Sequence, residues 1–228
     1  MSVALIEAAV AALGPLVRDV AFVGGSSVQL WITDAAAPPA RATIDVDVVI
    51  EVTGFGAYAA FGEQVRERGF EVEMDSHVIC RWRHASGLVL DLMPTDERIL
   101  GFANRWYPAA FAAAVETTLP GGAVIRAISP AYLVATKIEA FRDRGRGDYL
   151  ASADFEDIAR LIDGRAELVG EIAELPVPAR SFVAESLATM RRDPLFEYGV
   201  AGVLLPDSAS QARLPLVLDR ISQIIGLA

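Results

Sequence analysis

The 228-residue chain has one cysteine, Cys80, and two histidines, His77 and His84. A single cysteine excludes an intrachain disulfide and fits a reducing compartment, so a cytoplasmic setting is expected. Two histidines without further ligand-type neighbours at zinc spacing argue against a zinc centre. A basic surplus is also missing. Lysine and arginine number 20 against 30 aspartates and glutamates, a net charge of −10. That excludes broad non-specific affinity for nucleic acid, though not a local basic groove. No apolar run is long enough to span a membrane, and no internal repeat recurs. Segment 3–17 is apolar but carries Glu7 and no basic leader. Its Ile6, Val10, Leu13 and Val17 recur at helical spacing, so it reads as a docking helix and not a signal peptide. Apolar residues are plentiful, at 53%, enough for a core. The length allows one large domain or two small ones.

The informative features are two short segments. The first is an apolar approach at 21–23 into Gly24-Gly25-Ser26, followed by a helix-compatible run from Ser27. A glycine turn whose backbone donors meet a helix N-terminus is a place to hold phosphate. The alternative is a loop that ends in an N-cap serine. The second segment is Ile44-Asp45-Val46-Asp47-Val48-Val49-Ile50-Glu51. As a strand it puts Ile44, Val46, Val48, Ile50 and Val52 on one face, and Asp45, Asp47 and Glu51 on the other. Its apolar side suggests a central strand, where two like charges on one face are costly without a compensating cation. Two aspartates so spaced suit Mg²⁺. Together the segments suggest chemistry on a metal-bound nucleoside triphosphate.

A third acid has a candidate in Gly87-Leu-Val-Leu-Asp91-Leu-Met-Pro94, a short apolar strand with one aspartate and a terminal proline. A lone Asp91 inside such a strand needs a partner. The alternative is a capping acid at the strand end.

Periodicity predicts helices over 2–13, 24–32 and 56–68, and strands over 44–52, 70–74, 77–83 and 87–93. His84-Ala-Ser-Gly87 reads as a hairpin connection, and Gly69 as a helix stop. A loop-rich stretch, 94–108, precedes a last strand near 122–128. After Ser129-Pro130 the pattern is wholly helical, with helices expected at 130–144, 152–163, 165–173, 177–190 and 208–226. In the first of these, Leu133, Lys137 and Phe141 share a face. Lys137 therefore either snorkels or points inward for work. Arg142, Arg144 and Arg146 follow at alternate positions, either as a solvated helix end or as contacts to a polyphosphate or nucleic-acid backbone.

The Gly-Gly-Ser turn, the Asp-x-Asp strand and the later aspartate resemble the nucleotidyltransferase superfamily typified by DNA polymerase beta. The gap from Ser26 to Asp45 is longer than the common spacing in that superfamily. The helix Pro130-x-x-Leu-x-x-x-Lys137-x-x-Ala140, then arginines, then Asp154-x-x-Asp157-Ile, is similar to the AbiEii branch, the toxin halves of type IV toxin–antitoxin pairs. Ala153 departs from the lysine usual there. The resemblance covers about residues 20–165.

It implies an α+β chain: an N-terminal nucleotidyltransferase fold, a mixed β-sheet flanked by helices, over 1–125, with a C-terminal α-helical domain over 126–228. It implies a Mg²⁺-dependent enzyme that moves a nucleoside monophosphate from an NTP to an acceptor hydroxyl and releases pyrophosphate. Asp45, Asp47 and Asp91 would be metal ligands. Gly24, Gly25, Ser26 and Ser27 would bind the β- and γ-phosphates, and Lys137 would reach a phosphate. Arg41, Arg81, Arg83, Arg142, Arg144 and Asp154 are candidate acceptor or phosphate contacts, with a solvated loop arginine the plainer reading of Arg41. The implied partners are an NTP, an RNA acceptor such as the tRNA acceptor end, and a cognate antitoxin; no membrane is expected. The competing readings are a nucleotidyltransferase that modifies a small molecule such as an antibiotic, and a non-catalytic nucleotide-binding module.

Overall fold

A computed structural model describes residues 2–75 and 78–228. His77, weighed above as a metal ligand, lies outside the described residues, as does the start of the strand expected at 77.

The elements in chain order are α1 (Ser2–Leu13), β1 (Val20–Val23), α2 (Gly24–Trp31), β2 (Asp45–Ile50), α3 (Phe55–Glu67), β3 (Phe70–Val72), β4 (Arg81–His84), β5 (Val89–Pro94), α4 (Glu97–Leu100), α5 (Tyr107–Ala112), β6 (Val115–Thr118) and β7 (Val124–Ala127). The helices α6 (Pro130–Arg144), α7 (Ala153–Gly164), α8 (Leu168–Ala173), α9 (Val177–Met190), α10 (Phe196–Val203), α11 (Ser208–Gln211) and α12 (Leu214–Ile225) follow. Among the described residues seven strands form one mixed sheet, in the order β3-β4-β5-β2-β1-β7-β6. The chain is α+β.

Two compact units divide it. One runs to Ser27 and resumes over Ala42–Ser129; the other comprises Val28–Arg41 and Pro130–Ala228. The boundary expected at 125/126 falls inside β7, which pairs with β1 in parallel. Residues 126–129 therefore go with the sheet, and the division also passes through α2.

In the first unit β2 is central, as its apolar face required. It pairs antiparallel with β1 and parallel with β5. Val46, Val48, Leu90 and Leu92 are fully buried. On β4, Trp82 packs against Gly62 of α3, where an added β-carbon would lie 3.2 Å from the indole. The hairpin between β4 and β5 closes with the amide of His84 donating to the Leu88 carbonyl at 2.8 Å. The expected loop at 94–108 holds α4 and the start of α5, and β6 was not expected at all.

In the second unit, α6 is buried along most of its length. Phe141, Tyr149, Phe155 and Phe196 form a cluster of tilted and edge-on rings. The single helix expected over 208–226 is α11 and α12, interrupted where Pro215 opens a new first turn. Helix α10 lies in a stretch for which no helix was expected.

Candidate active site

The sheet register assembles the acids. Asp47 on β2 stands opposite Val23 of β1 on one side and Asp91 of β5 on the other, and Asp91 stands opposite Arg81 of β4. Paired residues on neighbouring strands share a face. Asp47, Asp91 and Arg81 thus form one row across three strands, with Asp45 two residues earlier on the same face. Val23 ends β1 in this row, and the chain turns there into Gly24 and α2. The glycine turn and the acids meet because β1 and β2 are antiparallel neighbours.

Gly24 has φ +76, and a β-carbon on it would come 1.8 Å from Asp47 Oδ2. The turn therefore needs glycine twice over: for the left-handed backbone, and for the close approach of a carboxylate. In the first turn of α2, Ser27 Oγ donates to the Val23 carbonyl at 2.8 Å and ties helix to strand. Ser26 is fully buried, and its Oγ has no hydrogen-bond partner among the described residues. The two adjacent serines thus differ: Ser27 is structural, whereas Ser26 carries an unsatisfied hydroxyl that is costly to bury.

Arg81 holds two of the three acids. Its Nε donates to Asp91 Oδ1 at 2.8 Å, and its Nη2 donates to Asp91 Oδ2 at 2.8 Å and Asp45 Oδ2 at 2.7 Å. These carboxylates raise the guanidinium pKa further, the Asp91 hydrogen bonds most of all. Asp45 also accepts from Thr43 Oγ1 at 2.6 Å. Asp91 is buried within β5 opposite Arg81, so it is an interior acid with a cation partner and not a cap at the strand end. Cys80 is buried beside the row. Burial, then the charges of Asp91 and Asp47, push its thiol up to about 12, so it is an inert thiol at neutral pH. Arg83, on the same strand face as Arg81, pairs with Glu73 at 2.5 Å and is half exposed. Arg81, expected as an acceptor or phosphate contact, lies on the acids in this structure, a placement the sequence did not reveal.

The resemblance implies Mg²⁺, and the donor chemistry of the row suits it, since carboxylate oxygens are the ligands this ion prefers. Asp45 and Asp91 already clasp one positive group between them. Among the described residues no three acidic, histidine or cysteine side chains converge as a ready metal cluster. The cation standing between two of the acids is Arg81.

The second unit carries a separate charge network. Lys137, the only lysine in the chain, is buried and does not snorkel. Its Nζ lies 3.1 Å from Asp154 Oδ1 and 2.6 Å from Asp157 Oδ2. Arg144 donates to both oxygens of Asp154, at 2.7 and 3.0 Å. Arg41 donates to Asp157, at 3.1 and 3.4 Å, and is not a solvated loop arginine. Burial tends to raise the Asp154 carboxyl, but the Arg144 hydrogen bonds and Lys137 outweigh it and leave the pKa lowered. Within this unit the ammonium of Lys137 is engaged by carboxylates, not presented for a phosphate. Arg142 is exposed and lies over the Phe182 ring, 5.6 Å from its centre; Arg146 is exposed, with φ +50. The three arginines after Lys137 thus have three different settings.

No protein-family model matches the chain, and no curated protein matches it.

Proposed function

We propose that the chain is a Mg²⁺-dependent nucleotidyltransferase of the AbiEii kind, with a nucleotidyltransferase-type first unit, that moves a nucleoside monophosphate from an NTP to a hydroxyl of an RNA acceptor. The observation that carries this reading is the row Val23–Asp47–Asp91 with Gly24 at its end. It puts a phosphate-type helix start and a set of carboxylates on one face of one sheet.

Gly24, Gly25 and the first amides of α2 would hold the β- and γ-phosphates, because unpaired donors and the helix dipole favour anions there. Ser26 would give its unsatisfied hydroxyl to the same oxygens. Asp45, Asp47 and Asp91 would hold Mg²⁺, with Asp91 on the side of the acceptor hydroxyl, where it would help lower that hydroxyl's pKa for attack on the α-phosphorus. Bound there, Mg²⁺ supplies charge neutralisation on the triphosphate and the leaving pyrophosphate.

The RNA acceptor follows from the resemblance to the AbiEii branch; within the second unit Arg142 and Arg146 are exposed cations of the type that meets a nucleic-acid backbone. A second reading, transfer to a small-molecule hydroxyl, is supported by the net charge of −10, which opposes polyanion binding outside local clusters. The test is incubation of the purified chain with each α-labelled NTP and total RNA, with and without Mg²⁺. Metal-dependent label in RNA supports the first reading. Label that appears only on added small-molecule alcohols selects the second.

A further inference from the structure

Three carboxylates on one sheet face repel one another, and adjacent strands are only about 4.8 Å apart. Arg81 offsets this repulsion from a neighbouring strand. Its planar fork matches the Asp91 carboxylate with two hydrogen bonds, and the same Nη2 reaches Asp45. That nitrogen therefore lies between Asp45 Oδ2 and Asp91 Oδ2, at 2.7 and 2.8 Å. A cation that used either oxygen toward the other strand would have to take its place. The groups are not sealed away: side-chain exposure is 18% for Arg81 and 25% for Asp45.

We infer that Arg81 is a resident counter-cation that competes with divalent metal for Asp45 and Asp91, so that the free protein takes up metal weakly and the site charges with metal only when Arg81 is drawn off its carboxylates. This rests on the reading of the row as a metal site and adds a control on it. A triphosphate is the natural agent of release, because its oxygens offer the guanidinium an alternative bidentate anion. Metal and nucleotide would then load together, and the metal-free protein would keep its acids neutralised and its sheet intact.

The sign of one measurement separates this role from a merely structural one. If Arg81 only props up the acids, its removal misplaces them and weakens metal binding. If it competes, removal strengthens binding. Mn²⁺ alone, without nucleotide, is titrated into the full chain and followed by electron paramagnetic resonance of the free ion. Arg81→Gln should bind Mn²⁺ at least about tenfold more tightly than wild type, since a full charge leaves the pair of carboxylates. Arg81→Lys, which keeps the charge but cannot form the fork, should fall between the two and guards against a Gln variant that does not fold. Equal or weaker Mn²⁺ binding in both variants, with wild type still binding the ion, overturns the role of Arg81 and leaves the metal site standing. No Mn²⁺ binding by any folded form overturns both.

Discussion

The carboxylate of Asp47 rests against the α-carbon of Gly24, so closely that a β-carbon there would lie 1.8 Å from Oδ2. The two informative sequence segments are thus one structural unit. The glycine turn leaves room for the acid, and the acid packs against the turn.

Gly24→Ala should therefore destabilise the protein. The left-handed backbone alone costs about 1–2 kcal/mol for a residue with a β-carbon, and displacement of Asp47 adds to it. Thermal unfolding should show a lower midpoint, and nucleotidyl transfer should be lost even at temperatures where the variant is folded. A variant with unchanged midpoint and activity would contradict the contact.

Ser26→Ala should separate stability from activity. The Ser26 hydroxyl is buried without a partner, so its removal should leave stability unchanged or raise it by about 1 kcal/mol. Transfer should slow about tenfold through a higher KM for NTP, as expected when one phosphate hydrogen bond is lost. Denaturant unfolding and steady-state kinetics on the same sample check both arms. A destabilised Ser26→Ala with normal kinetics would make the hydroxyl structural.

Lys137→Met should be costly in the second unit. It leaves Asp154 with Arg144 and Asp157 with Arg41, and breaking a buried ion pair costs roughly 3–5 kcal/mol; those remaining partners put this case at the low end. Asp154 has a lowered pKa in the folded chain. Its contribution is therefore present in full above the unfolded carboxylate value of about 3.9, and is lost as pH falls through the lower folded value. Wild-type stability should fall over that acid range, and Lys137→Met should lose less there. Urea unfolding between about pH 2 and 6 measures it. An identical acid dependence in the two proteins would remove Lys137 from the network's energetics.

Part of this was legible in the sequence and part was not. Alternation marked Asp45 and Asp47 as one face of a central strand, because Val46, Val48 and Ile50 left no other orientation. The row itself was not legible. Asp47 meets Asp91 through a parallel pairing across 44 residues, and register between distant strands leaves no local trace. The role of Arg81 depended on the same register. The strand β6 escaped notice because it is an exposed edge, Val-Glu-Thr-Thr, with no buried alternation to betray it. Lys137 stood between Leu133 and Phe141 on one helix face, which left it either snorkelling or inward, and the carboxylates that decide it come from the next helix. Residues 34–40 lengthen the gap between Ser26 and Asp45 in the sequence. In the structure Arg41 pairs with Asp157, and Asp34 pairs with Arg213 at 2.7 Å, within the second unit, pairings too remote in sequence to foresee.

The central claim is transfer of a nucleoside monophosphate through the acids of the row. The most direct measurement compares α- and γ-phosphorus-labelled NTP in parallel reactions with RNA and Mg²⁺, for wild type and Asp47→Asn. The α label should enter RNA and the γ label should leave in pyrophosphate. Asp47→Asn, still folded, should lose at least about a hundredfold in rate, since the metal's charge stabilisation is worth several kcal/mol. Transfer of the γ label, or incorporation by Asp47→Asn at the wild-type rate, would contradict it.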